Sequence, residues 1–173
     1  MRAVKQQVRS ATAGSSAPQI RATDADEVPI LVSLAEGTRV FSHHEIVGLK
    51  EDLDSCLAGS YPLDRLLTIE HAGRAAGFAH FGPAEITHGT WFLYWIAVDR
   101  ACHGQGYGAQ LLSLVEDTVR DQAGRLLLIE TSTLPRYRGT RSFYERNGYA
   151  RECVIRDYYS LGDDKIVFSK RLG

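Results

Sequence analysis

The spacing of apolar positions changes several times along the chain, and each change marks an element. In "FSHHEIVGLKEDLDSCLAG", Ile46, Leu49, Leu53 and Leu57 fall on one face at helical spacing. Ser42 and Glu45 form a capping box at its start, and Gly59 stops it. An earlier helix is predicted in "TDADEVPILVSLA". Thr23 or Asp24 is its cap, and Asp24, Asp26 and Glu27 suit the positive end of the helix dipole. Leu111, Leu112, Val115 and Val119 form a third stripe, in a helix running to about Gln122, with Glu116, Asp117 and Arg120 on its outer side. A short fourth helix, "TRSFYERN", is stopped by Gly148.

The remaining apolar runs have strand length. Gln19–Ala22 is a short strand, and Arg65–His71 and Arg74–Phe81 form a hairpin through Gly73, ended by Gly82-Pro83. "TWFLYWIAVD", after Gly89, is aromatic and β-branched and reads as a central strand. "GRLLLIETST" is almost wholly apolar and is predicted to be buried on both faces. "YARECVIRDYYS" and "DKIVFSKRL" pair as a last hairpin through "LGDD". The order β-α-α-β-β-β-α-β-α-β-β predicts a mixed α/β sheet with one right-handed parallel crossover near its middle.

Composition narrows the function. A chain of 173 residues suits one core. Residues 1–18, rich in Ser, Ala and Gly, are expected to be a disordered leader, because basic residues without an apolar segment make no secretory signal. Residues 19–173 then form a single domain. A net charge of -1 argues against non-specific nucleic-acid binding, and no apolar run is long enough to span a membrane. Cys56, Cys102 and Cys153 offer neither a disulfide framework nor zinc spacing, so a reduced, cytoplasmic setting is expected. No metal is expected: His43 and His44 point apart and have no carboxylate at ligand spacing.

The candidate chemistry lies in "VDRACHGQGYGAQLL". Gly104, Gly106 and Gly108 precede a helix whose first N–H groups are free, an arrangement that binds phosphate. It is not a P-loop, since no Gly-Lys-Ser/Thr follows. Gly104, Gly106 and Ala109 fit the dinucleotide spacing, with Glu130 about twenty residues on. However, "DRACH" separates the glycines from the strand, and the 43 residues after Glu130 hold no further parallel strands.

"YWIAVDRACHGQGYGAQLL" resembles the acetyl-CoA motif of the GNAT superfamily of N-acetyltransferases. "RSFYERNGY" resembles its later helix signature, and the element order agrees from about Gln19 to Leu172. "LIETST…FYERNGY" looks most like the branch related to ribosomal-protein alanine acetyltransferases. The fold this implies is a mixed, mostly antiparallel sheet of about seven strands flanked by about four helices, with the fourth and fifth strands parallel and splayed.

The resemblance also implies a chemistry: acetyl-CoA as acyl donor, and a primary amine as acceptor, on a small molecule, an amino acid or a peptide N-terminus. His103, Gly104, Gln105, Gly106, Tyr107, Gly108 and Ala109 would bring main-chain N–H groups to the coenzyme's pyrophosphate. Ile96, Ala97 and Val98 would pair with its pantetheine arm. Glu130 would be the general base that takes the ammonium proton, with Asp99 and Glu70 in reserve, and Tyr144 the general acid for the departing thiolate. His103 stands where the family usually has Arg or Gln, and Tyr137 where this branch tends to have Asn. Arg136, Arg138 and Arg141 are candidates for coenzyme phosphates. Tyr158, Tyr159, Asp163 and Asp164 would rim the acceptor mouth, and either Tyr94 or Trp95 would reach the acceptor. The edge strands of the last hairpin leave room for a homodimer. A non-catalytic acyl-CoA-binding module of the same fold is the alternative.

Overall fold

The computed structural model describes residues 17–173, so the leader expected over 1–18 lies almost wholly outside the described residues. Seven strands form one sheet: β1 (Gln19–Ala22), β2 (Arg65–His71), β3 (Arg74–Pro83), β4 (Thr90–Val98), β5 (Leu126–Ser132), β6 (Ala150–Ser160) and β7 (Asp163–Arg171). Their spatial order is β1-β2-β3-β4-β5-β7-β6. Only β4 and β5 are parallel; the other neighbours are antiparallel. The helices are α1 (Val28–Thr38), α2 (His43–Leu57), α3 (Tyr107–Asp121) and α4 (Arg138–Arg146).

The helix starts follow local chemistry. The Glu27 carboxylate accepts the Asp24 N–H at 2.9 Å, and the 3-10 turn Ala25–Glu27 leads into α1. Arg21 bonds the same carboxylate at 2.7 and 2.8 Å and reaches Glu70 at 3.2 Å, tying β1 and β2 to the helix start. The capping box predicted at α2 is present: Glu45 N–H donates to Ser42 at 3.3 Å, and Ser42 N–H donates to Glu45 at 2.7 Å.

Two cores form, one on each face of the sheet. Leu31, Leu49 and Leu53 of α1 and α2 pack on Leu66, Phe78 and Ala97. Leu111, Leu112, Val115 and Val119 of α3 pack on Phe81, Leu127, Ile129 and Phe168. β5 departs from the expectation of burial on both faces. Leu127 and Ile129 are buried against α3, but Leu126 and Leu128 are only partly covered and Glu130 is exposed. The reason is that α1 packs on β3 and β4 and leaves that side of β5 open.

Glu116 also departs from expectation. It lies inside rather than on the outer side of α3, with both carboxylate oxygens 2.8 Å from Lys170 Nζ and one 3.0 Å from the Tyr149 hydroxyl. A buried carboxylate is retained only when such partners satisfy it. Lys170→Ala is therefore expected to cost about 3 kcal/mol, the lower end for removing one partner of a buried ion pair because Lys170 is itself partly exposed, read as a shift in the urea midpoint.

Candidate active site

β4 and β5 pair from Thr90↔Leu126 to Leu93↔Ile129 and then separate. Beyond that point β4 stays with β3, and β5 stays with β7. A β-bulge falls at the same place: His80 pairs with Trp95 and Phe81 with Leu93, so Tyr94 is the extra residue. The bulge changes which side chains face which way. Before it, Trp91 and Leu93 join the α3 core; after it, Ile96 and Val98 do. Trp95 and Ala97 turn to the α1–α2 side. Tyr94 faces that side too, against His80 and Phe92 at ring distances of 5.0 and 6.1 Å. The strand alternation expected of Tyr94 and Trp95 is thus cancelled, and both line the opening.

The opening is a cleft of about 1470 Å³, larger than the roughly 300–1,000 Å³ of a site for one small ligand, so it has room for two substrates. One end is the glycine loop. Gly104 and Gly106 take φ of +77° and +83°, which only glycine adopts without strain. Gly108 has a different role: a Cβ there would lie 3.3 Å from the Phe143 ring, so its absence lets α4 approach α3. The first helical bond runs from Gln110 N–H to the Gly106 carbonyl at 3.0 Å, leaving the amides of Tyr107, Gly108 and Ala109 without a helical acceptor. His103 N–H is spent on the Arg100 carbonyl, and Gln105 N–H on that of Cys102. The His103 ring also turns inward, its Nε2 donating to the Val98 carbonyl at 2.9 Å. Free main-chain donors at a helix N-terminus fit a pyrophosphate.

Glu130 is the first β5 residue past the last β4–β5 pair and lines the cleft on the side open toward α1 and α2. Lys165 Nζ donates to it at 2.8 Å and sits 3.6 Å from the centre of the Tyr158 ring. Lys165 is buried, so its charge depends on that carboxylate. The reserve carboxylates lie elsewhere: Asp99 caps a 3-10 turn through Ala101 N–H, and Glu70 pairs with Arg21.

Tyr144 lines the cleft from α4 but is buried among Phe143, Tyr149 and Phe168. Burial pushes its hydroxyl well above the ordinary tyrosine value, which keeps the proton on it at neutral pH. Phe143, its neighbour on α4, is only partly buried and packs at Gly108.

The acceptor side differs from the expected rim. Asp163 is buried and accepts the Ser132 hydroxyl, Asp164 accepts Asp157 N–H at 2.9 Å, and Tyr158 lies under Lys165. Of that rim, Tyr159 alone lines the cleft. Of the candidate arginines, Arg141 is engaged by the carbonyls of Ser132 and Leu134 at 2.7 and 3.0 Å, and Arg136 lines the cleft and reaches Glu45 at 3.5 Å. Arg146, not singled out by motif, lines the cleft as well.

The walls on this side are Phe41, Trp95 and Tyr137, with ring distances of 5.7 and 6.4 Å from Phe41, together with Glu45, Asp52 and Asp64. The Asp52 carboxylate accepts the Trp95 indole N–H at 2.7 Å. Asp64 meets His80 Nε2 at 3.0 Å, and burial pushes the aspartate up and the histidine down, disfavouring both charges. Glu45, the capping residue of α2, also accepts the Tyr137 hydroxyl across the cleft. Burial pushes the Glu45 carboxyl up, but the bonds from Ser42 and Tyr137 outweigh it and hold it below the ordinary glutamate value. Sequence reading missed this bridge because Glu45 was explained by its cap and Tyr137 stands ninety-two positions away.

A parallel pair that opens into a cleft, with a glycine loop at a helix N-terminus beside it, agrees with the arrangement that the GNAT resemblance implies. Residues 62–151, just over half of the chain, match the acetyltransferase (GNAT) domain. A GNAT-family protein from Desulfovibrio desulfuricans shares 34% identity, with 91% of this chain and 100% of that one covered, at a TM-score of 0.85. The ribosomal-protein-S18-alanine N-acetyltransferase of Escherichia coli shares the fold at 18% identity, covering 91% and 95% of the two chains, TM-score 0.72. The PaiA N-acetyltransferase of Thermoplasma acidophilum, solved in complex with coenzyme A, does so at 17%, covering 90% and 99%, TM-score 0.71. No curated protein matches the chain significantly in sequence. The chain belongs to the GNAT acetyltransferase family, and its class is N-acetyltransferase. Among the described residues no helix is long and apolar enough to cross a membrane.

Two outcomes are expected. Gly106→Ala forces a side chain into the left-handed region at a cost of about 1–2 kcal/mol, and the loop relaxes out of its amide-presenting shape. Coenzyme A affinity should then fall roughly tenfold by calorimetry. The second concerns alkali. Burial raises Tyr94 and Tyr159 to about 12 and Tyr137, Tyr144 and Tyr149 higher still. A raised folded value means stability is full below the unfolded tyrosine value of about 10 and is lost as pH rises through the folded ones. The melting temperature should therefore be flat to about pH 10 and fall between there and pH 12.

Proposed function

We propose that the protein transfers acetyl from acetyl-CoA to a primary amine by direct attack, with Glu130 as general base and Tyr144 as general acid. Acetyl-CoA supplies a thioester carbonyl and a thiolate leaving group. The amides of Tyr107, Gly108 and Ala109, with Gly104 and Gly106 shaping the loop, would hold its pyrophosphate. Past Leu93, one edge of β4 has no strand partner, and an extended arm would pair there with the stretch Ile96, Ala97 and Val98, sharing or displacing the His103 ring at the Val98 carbonyl. Glu130 takes a proton from the attacking amine, and Tyr144 gives its proton to the sulfur. The carboxylates of Glu45 and Asp52, set among Phe41, Trp95 and Tyr94, suit a cationic acceptor before it is deprotonated.

The observation that carries this reading is the position of Glu130. It is the first residue past the separation of β4 and β5 and points into the cleft. Its ion pair with Lys165 favours the second reading, a non-catalytic acyl-CoA-binding module in which Glu130 is only a counter-ion. Glu130→Gln keeps an acceptor for Lys165 and removes the base. Turnover should fall at least about 100-fold while coenzyme A affinity stays within about twofold. Tyr144→Phe should lower kcat by a similar factor with KM unchanged. Undiminished turnover in Glu130→Gln would remove Glu130 from the chemistry.

A further inference from the structure

The pair between Glu130 and Lys165 has a geometry that charge balance alone does not require. Ser132 of β5 lies opposite Lys165 of β7, and Glu130 is two residues back on the same face, so the two side chains meet on a diagonal across the strands. Lys165 Nζ donates to Glu130 Oε2 at 2.8 Å. The Lys165 side chain is 8% exposed and that of Glu130 37%. Glu130 lines the cleft and Lys165 does not, so the ammonium sits behind the carboxylate rather than among the groups that would meet an acceptor.

The strand beside Lys165 is irregular at this point. Pairing of β6 with β7 runs to Ile155↔Lys165 and resumes at Ser160↔Asp163, which leaves residues 156–159 outside the ladder. Within them Asp157 takes φ of +51° and is pinned from both sides: its N–H donates to Asp164 at 2.9 Å, and its carboxylate accepts Gly162 N–H at 2.6 Å. A non-glycine residue in the left-handed region is strained and persists only where its surroundings hold it. The irregular stretch lays the Tyr158 ring over Lys165, 3.6 Å from Nζ to its centre, and sets the next residue, Tyr159, in the cleft. Nζ thus lies between a carboxylate and a ring face, and both favour a cation. Burial pulls the Lys165 ammonium down, but Glu130 and Tyr158 outweigh it and hold it above the ordinary lysine value. A protonated amine has no lone pair, so Lys165 does not compete with the acceptor for the acetyl group.

A cation this close makes a carboxylate easier to ionise and a weaker base. What it supplies in return is direction. An untethered glutamate turns about its side-chain bonds and presents either oxygen. With Oε2 held by Lys165, Oε1 is left to accept the proton of the amine. We infer that Lys165 is a positioning residue: it keeps the Glu130 carboxylate ionised and aims its Oε1 at the acceptor nitrogen, with residues 156–159 as the clamp on Lys165. This rests on the reading of Glu130 as general base. The other titratable groups around the pair are Tyr158 and Tyr159 from β6 and Asp163 from β7. Burial pushes Tyr159 up to about 12, and Asp163 is buried and accepts the Ser132 hydroxyl. Lys165 is therefore the one cation among the groups at this carboxylate.

The test is kcat against pH, read as thiol release from acetyl-CoA with the fastest acceptor in a panel of alkylamines, amino acids and short peptides. Lys165→Met keeps the apolar stem and removes the cation; Lys165→Arg keeps a cationic donor. Lys165→Met should lower kcat at least about tenfold across the pH range, with KM within about twofold, and move the acid limb to higher pH because the carboxylate has lost its counter-ion. Lys165→Arg should recover most of the loss and the wild-type limb, which a merely structural cation would not explain. In a Glu130→Gln background Lys165→Met should change kcat little, since Lys165 acts through that carboxylate. A Lys165→Met protein that matches or overtakes the wild type at high pH, or that loses as much again in the Glu130→Gln background, would overturn the inference and leave the base assignment standing. Turnover that survives Glu130→Gln would remove both. Titration of the Glu130 carboxyl carbon by NMR needs no acceptor. It should move to higher pH in Lys165→Met and return in Lys165→Arg, and an unmoved titration would contradict the inference.

Discussion

Four residues of parallel pairing, Thr90–Leu93 on Leu126–Ile129, hold the two halves of the sheet together, and the site begins where that pairing stops. Past it, each strand keeps its outer antiparallel neighbour, so the sheet opens without either strand losing its own support. The opening leaves one main-chain edge of β4 unpaired beside an exposed carboxylate on β5. The bulge at Tyr94 adds a second consequence. By inserting one residue it turns both Tyr94 and Trp95 toward α1 and α2, where strict alternation would have buried one of them against α3.

The two ends of the cleft are built by different physics. At the end proposed to hold the coenzyme the work falls to backbone: positive φ at two glycines, free amides at the start of α3, and a missing Cβ at Gly108 that lets Phe143 settle against the loop. At the acceptor end it falls to side chains. Aromatic rings from the α1–α2 loop, β4 and the β5–α4 segment meet there, with carboxylates that also serve as caps or as partners of Trp95 and His80. The bond from Tyr137 to Glu45 joins the two sides over this end, so the shape of this part of the cleft depends on a contact between α2 and the segment before α4.

Much of the fold was legible because its signals are local. The capping box at Ser42, the turn at Gly73 and the strand–loop–helix around the glycines each declare themselves within a few residues. Glu116 was misread because helical spacing alone cannot reveal Lys170 and Tyr149 coming from β7 and the turn before β6. β5 was misread because its composition says apolar while the reach of α1 decides which face is covered. In the site, Gly104, Gly106, Glu130 and Tyr144 stand in motifs. The ion pair of Glu130 with Lys165, the role of Glu45 and the changed direction of Trp95 all depend on register between distant segments, and no motif contains them.

The proposed reaction requires a cleft that brings a coenzyme thioester to a primary amine. Coenzyme A thiol release from acetyl-CoA by the purified protein, measured across small amines, free amino acids and short peptides, tests that most directly. Release is expected with one class of primary-amine acceptor and none in its absence. Silence across the panel, with acetyl-CoA still raising the melting temperature, would contradict catalysis and leave the coenzyme-binding module in its place.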